Sequence, residues 1–180
     1  MTENKLLFFL KPKIYPYLAE EREAAKFIKW GSLKIVVVSN NKKITLLETE
    51  WDLLPLIKWF DRSEQKIKFQ TLQNSYVGLR VLDSESLAQA LNRLQEQEFA
   101  EEQENLEYIW FDTLFEFREH HSLRFAMRGS KVPSIIIGSN RGSGEVSLSN
   151  RVNEWSYQFN LDKFFADFRK QALAFILDSQ

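Results

Sequence analysis

Apolar and polar positions change period several times along this chain, and each period predicts an element. KLLFFL (residues 5–10) is a continuous apolar run closed by Lys11, Pro12 and Lys13, as expected of a short buried strand. Residues 14–30 contain AEEREAAKFIKW, a helical composition with Pro16 near its start and Gly31 placed to end it. SLKIVVVSNNKKITLLE predicts a hairpin: strand Ile35 to Val38, a polar tip at Ser39 to Lys43, and strand Ile44 to Leu47. Thr49 and Asp52 both resemble helix caps, and Leu53, Leu56, Ile57 and Phe60 recur at helical spacing, which predicts a helix of roughly two to three turns starting near Asp52. KIKFQ (66–70) and YVGLRVL (76–82) alternate and read as half-buried strands. Ser84 or Ser86 then opens a helix whose apolar positions are Leu87, Ala90, Leu91 and Leu94.

An acidic segment follows, with six Glu between Glu96 and Glu107 and no basic residue among them. Leu106, Ile109, Trp110, Leu114 and Phe117 form one stripe of an amphipathic helix that packs on a sheet. After His120 and His121 the period switches from 3.6 to 2. Leu123, Phe125 and Met127 alternate with Arg124, Ala126 and Arg128, which predicts a strand. VPSIII, a turn in GSNRGSG (138–144), EVSLS with Val146 and Leu148 inward, and EWSYQF with Trp155, Tyr157 and Phe159 on one face continue an antiparallel meander. Asn160 or Asp162 caps a last helix with the stripe Leu161, Phe164, Phe165, Phe168, Ala172, Phe175 and Ile176.

Strands gathered in runs, with helices between the runs, indicate an α+β fold. The expected architecture is an antiparallel sheet, a C-terminal meander preceded by an N-terminal hairpin, packed with about four to five helices. No internal repeat and no long linker divides the chain, so one domain spanning 1–180 is expected.

Composition narrows the function classes. Fifteen Phe and five Trp argue against disorder, and the absence of Cys excludes a disulfide framework and a thiolate metal site. LLFFL is too short for a signal peptide's apolar core, and no run approaches the roughly eighteen residues of a membrane span. A soluble cytoplasmic protein without membrane contact is the expectation. Charge is unevenly distributed: residues 1–83 carry 14 basic and 10 acidic side chains, 84–121 carry 2 and 10, and 122–180 carry 8 and 5. An acidic middle makes general nucleic-acid binding an unpromising role.

Candidate chemistry is sparse. GSNRGSG lacks the GxxxxGK[ST] order and leads into a strand, so it reads as a hairpin tip and not a phosphate loop. Asp112, Glu116 and His120 share a helical face, and His121 adjoins them, yet one face does not close a coordination sphere, and a protonated histidine near a helix C-terminus serves its dipole. No activated nucleophile motif is present, and no catalytic residue, metal or cofactor is assigned. Arg124, Arg128, Lys131, Arg141 and Arg151, with Trp155 and Tyr157, offer the alternative of a small-ligand or nucleic-acid binding module on the C-terminal sheet. The acidic segment supports electrostatic recognition of a basic protein, with aromatics as anchors inside a charged rim. Its residues are Glu98, Glu101, Glu102, Glu104, Glu107, Tyr108, Phe111 and Asp112.

Across residues 106–160, an aromatic helix ending in His, a strand, Gly129, Pro133, a hydrophobic strand, a Gly-containing turn and EVSLS resemble small bacterial immunity proteins. These are cytoplasmic α+β proteins encoded beside secreted antibacterial toxins, such as those of contact-dependent growth inhibition. The resemblance implies a non-enzymatic protein that binds a cognate toxin, such as a basic nuclease, and occludes its active or substrate-binding surface. A pI near 6.2 is less acidic than is usual for that group and leaves the toxin's nuclease identity open.

Overall fold

A computed structural model describes residues 4–16, 27–72, 79–97 and 104–179, with backbone only for 104–106. The protein is α+β, and these residues hold two three-stranded antiparallel sheets and five helices. Two compact units can be distinguished, the first built from 1–62, 126–132 and 159–180, the second from 63–125 and 133–158.

The first unit contains β1 (Lys5–Pro12), β2 (Trp30–Ser39) and β3 (Lys42–Asp52) in the order β1-β2-β3. β1 buries Leu6, Phe8 and Leu10 in strict alternation. β2 lies between two partners and buries Ile35, Val36 and Val37 in succession, where a register irregularity between Ile35 and Val36 breaks the alternation. The β2–β3 connection is two residues long because Asn40 (φ 48°) and Asn41 (φ 62°) both accept the left-handed conformation that a tight hairpin needs. The helix expected over 14–30 lies largely outside the described residues, but Gly31 does not end it. Gly31 sits inside β2 opposite Pro12, and a Cβ there would stand 2.6 Å from the Lys11 carbonyl and 2.6 Å from Phe175. The glycine is required by close packing, not by a helix stop.

Helix α1 (Leu54–Phe69) starts where expected, with the Asp52 carboxylate accepting from the amides of Leu54 and Lys29. It is longer than expected: residues 66–69 of KIKFQ form its last turn instead of a strand, and Gln70 follows its end. Residues 79–82 likewise carry no strand, and 76–78 lie outside the described residues.

In the second unit α2 (Leu87–Gln95) begins with a capping box between Ser86 and Gln89. Its free N-terminal amides are met by strand side chains: Leu87 donates to Glu145 Oε1 at 2.7 Å and Ala88 to Ser147 Oγ at 3.2 Å. Glu145 is buried, and its other oxygen accepts from Asn140 Nδ2 at 2.7 Å. A buried carboxylate is therefore paired with a helix N-terminus, where the helix dipole favours it. Helix α3 (Glu104–His121) follows, then α4 (Leu123–Ala126). The latter replaces the strand expected over LRFAM.

β4 (Ile136–Asn140), β5 (Ser143–Ser149) and β6 (Glu154–Phe159) form the second sheet in that order. The turn expected across 138–144 is confined to Arg141 (φ 52°) and Gly142 (φ 77°), and the rest of GSNRGSG lies in paired strands. Arg141 donates to the carbonyls of Leu82 and Glu85. Helix α5 (Leu161–Asp178), capped by Asn160, belongs to the first unit, where Phe164 and Phe168 meet Phe8 of β1 edge to face at 5.3 and 5.8 Å.

Candidate functional site

Helix α3 shows three faces. Trp110, Leu114, Phe117 and His121 recur at i, i+4, i+7 and i+11 and are buried against α2 and β4, with Trp110 Nε1 donating to the Leu94 carbonyl at 3.1 Å. A second edge meets α1: Lys66 pairs with Glu116 at 3.2 Å, and Ser63 Oγ lies 3.1 Å from His120 Nδ1. The Asp112, Glu116 and His120 row weighed as a metal site is thus divided between partners, and no group of three ligating residues among the described residues is arranged to hold a metal.

The third face is exposed. Tyr108 (75% exposed), Phe111, Asp112, Phe115 (52%) and Glu119 follow helical spacing, and Ile109 borders them. Phe115 is held edge to face against Phe125 of α4 at 5.3 Å, so the ring is positioned while half of it faces solvent. From Glu104 to Phe117 the helix contains four acidic and no basic residues before Arg118. Of the residues expected at a partner face, Tyr108, Phe111 and Asp112 are therefore brought together, with Glu107 half-buried on the flank nearer the core. Glu104 lies in the first turn, and Glu98, Glu101 and Glu102 are outside the described residues. Phe115 and Glu119 complete the stripe. Their spacing from Tyr108 and Asp112 carried that signal in the sequence.

His121 closes the buried face. Its ring stacks on Phe117 with centroids 3.8 Å apart and planes 2° from parallel, Nδ1 lies 2.7 Å from the Phe117 carbonyl, and Nε2 has no hydrogen-bond partner. Burial lowers its pKa to about 4, with the neighbouring His120 and Lys66 charges acting in the same direction. Gly138 lies beside it, where a Cβ would stand 2.9 Å from the imidazole and 3.1 Å from Leu87.

A separate cleft of about 650 Å³ lies wholly within the second unit, between the C-terminal half of α2, the ends of α3 and α4, and the β5–β6 turn. Leu91, Ile136 and Leu148 supply apolar surface, Asn92, Ser134 and Ser149 polar groups, and Arg118, Arg124 and Arg151 positive charge. Asn92 Nδ2 donates to the Ser149 carbonyl at 2.9 Å and ties α2 to the turn. The half-buried Arg118 has its pKa lowered first by desolvation and then by the like charge of Arg124. Neither of these two arginines has a carboxylate partner among the described residues. Arg124 and Arg151 belonged to the scattered basic set read from the sequence, whereas Arg118 did not. Arg141 is spent on loop carbonyls, and Arg128 and Lys131 lie in the first unit.

The chain matches no protein-family model, no curated protein and no solved structure.

Proposed function

We propose that the chain is an immunity-type protein of the cytoplasm, non-enzymatic, that neutralises a cognate protein toxin by covering its active or substrate-binding surface. The exposed stripe of α3 is its docking face and a basic protein surface its occupant. One observation carries this reading: Tyr108, Phe111 and Phe115 stand at the surface beside Asp112 and Glu119, on a helix with no basic residue between 104 and 117. Large aromatic rings exposed at helical spacing cost free energy unless a partner covers them. Rings ringed by charge are the composition of an interface anchor, and one-signed charge speeds association with an opposite surface.

Co-expression with the adjacent gene's product tests it. The wild-type chain is expected to form a stoichiometric complex with a basic protein that is toxic when expressed alone, and to relieve that toxicity. Tyr108→Ala with Phe115→Ala should weaken the complex by about 30-fold or more, the scale of losing an interface anchor, and abolish protection without altering the circular dichroism spectrum. Protection at wild-type strength by a folded double variant would remove α3 as the site.

A further inference from the structure

We propose that the arginine-lined cleft of the second unit binds a small phosphorylated molecule of about mononucleotide size. The cleft's 650 Å³ lies in the range that encloses a small organic ligand. Arg118 and Arg124 reach it from adjoining elements, the last turn of α3 and α4, and Arg151 from the β5–β6 turn 27 residues further along the chain. Guanidinium groups present planar forks of N–H donors that match phosphate oxygens, so three at one cleft favour an anion over a neutral ligand.

Charge balance supports the same conclusion. The Arg118 and Arg124 guanidinium groups both line the one cleft, where burial first and then the like charge of Arg124 disfavour the charged form of Arg118. A dianionic phosphate between them offsets that like charge. The turn carrying Arg151 is fixed, with Asn150 Oδ1 accepting from the amides of Val152 and Asn153 at 2.9 and 2.8 Å. Pre-set positions of this kind lower the ordering cost of binding. Asn92, Ser134 and Ser149 offer hydrogen bonds, and the apolar surface of Leu91 and Leu148 accommodates the uncharged body of the ligand.

A nucleic-acid strand fits less well. Trp155 and Tyr157, which stand on this sheet and could stack on bases, do not line the cleft.

The test uses the full chain and four probes: inorganic phosphate, ribose 5-phosphate, adenosine 5′-monophosphate and a ten-nucleotide oligouridylate, measured by calorimetry and by amide chemical shifts. The two organic phosphates are expected to bind more tightly than inorganic phosphate and to shift the amides of Asn92, Ser134 and Ser149 in the wild-type protein. Arg124→Gln with Arg151→Gln, both at exposed positions that can change without disturbing the core, should weaken binding tenfold or more. Lys170→Gln, on the exposed side of α5, should leave it unchanged. Absence of binding by the organic phosphates at millimolar concentration overturns the proposal, as does shift mapping elsewhere. Preferred, steeply salt-dependent binding of the oligouridylate overturns it in favour of a nucleic-acid surface.

Discussion

Replacing Phe60 by Ala lowers the stability of the first unit by about 4 kcal/mol, whereas the same replacement at Phe69, nine residues along the same helix, changes stability by less than about 0.5 kcal/mol. Phe60 is 1% exposed and stands in an aromatic cluster. Phe8 and Phe164 meet it edge to face at 5.3 and 5.5 Å, and Phe168 lies tilted at 4.4 Å. Truncation removes the transfer free energy of the ring, leaves a cavity between β1, α1 and α5, and deletes several aromatic pair contacts at once. The surrounding rings are themselves packed against one another, so they have little freedom to collapse into the space. Phe69 is 69% exposed, and Ala favours the helix there. Urea unfolding followed by circular dichroism separates the two expectations. A loss below about 1 kcal/mol at Phe60 would mean that the cluster is not the core of this unit.

Much of this architecture was legible from periodicity, and the failures have a common physical source. The stripe of Leu53, Leu56 and Phe60 continues through position 63 to Ile67, which is fully buried, but position 63 is a buried Ser. A polar residue in the stripe interrupts the apolar period, and the remaining Lys66 to Gln70 then imitates a strand. The exposure of Phe69 shows that only one of its two alternating apolar residues is inside. LRFAM misleads in the same way: Leu123, Ala126 and Met127 are buried at i, i+3 and i+4, a helical set that the alternation of Leu123, Phe125 and Met127 concealed. Gly31 was indistinguishable from a helix stop because the 2.6 Å approaches of Lys11 and Phe175 are tertiary.

The candidate sites divide along the same line. Tyr108, Phe111 and Asp112 were legible because one helix sets their spacing, and nothing beyond its period is needed to bring them together. Arg118 and Arg124 are six residues apart, but Arg151 joins them only through the packing of the β5–β6 turn against α3 and α4, which no local pattern signals. Glu145 and Ser147 of EVSLS were read only for the apolar residues they flank, although their side chains cap α2 from across the sheet.

Acidification from pH 6.5 to pH 4 is expected to remove about 3 kcal/mol of stability through His121 alone. In the unfolded chain this imidazole titrates at its ordinary value of 6.5, and in the native protein burial holds it at about 4. Between those values the unfolded chain binds a proton that the native state does not, so stability is fully present above pH 6.5 and declines as pH falls toward 4. The geometry explains why the native state resists protonation. Nδ1, as the protonated nitrogen, donates to the Phe117 carbonyl, and a second proton would go to Nε2, which has no hydrogen-bond partner and where the pull of the Lys66 backbone does not offset burial. That charge would also lie near the positive charges of His120 and Lys66. His121→Leu removes the titrating group and keeps an apolar side chain in the space. The Phe117 carbonyl retains the backbone partner available within the helix. The variant's stability should therefore stay nearly flat between pH 6.5 and 5.5, a window above most carboxylate titration. Glu85, whose pairing with Arg93 holds its pKa below the usual carboxylate range, loses stability on further acidification in wild type and variant alike and so cancels from the comparison. Urea midpoints at half-unit pH intervals, together with the ring-proton shifts of the two histidines, measure both quantities. Parallel pH profiles for wild type and variant, or a His121 resonance that titrates near pH 6.5 in the native protein, would show that the ring is not held neutral by burial. The imidazole belongs to the buried face of the helix that also carries the partner stripe and Arg118, so its titration should loosen the second unit and both candidate surfaces with it.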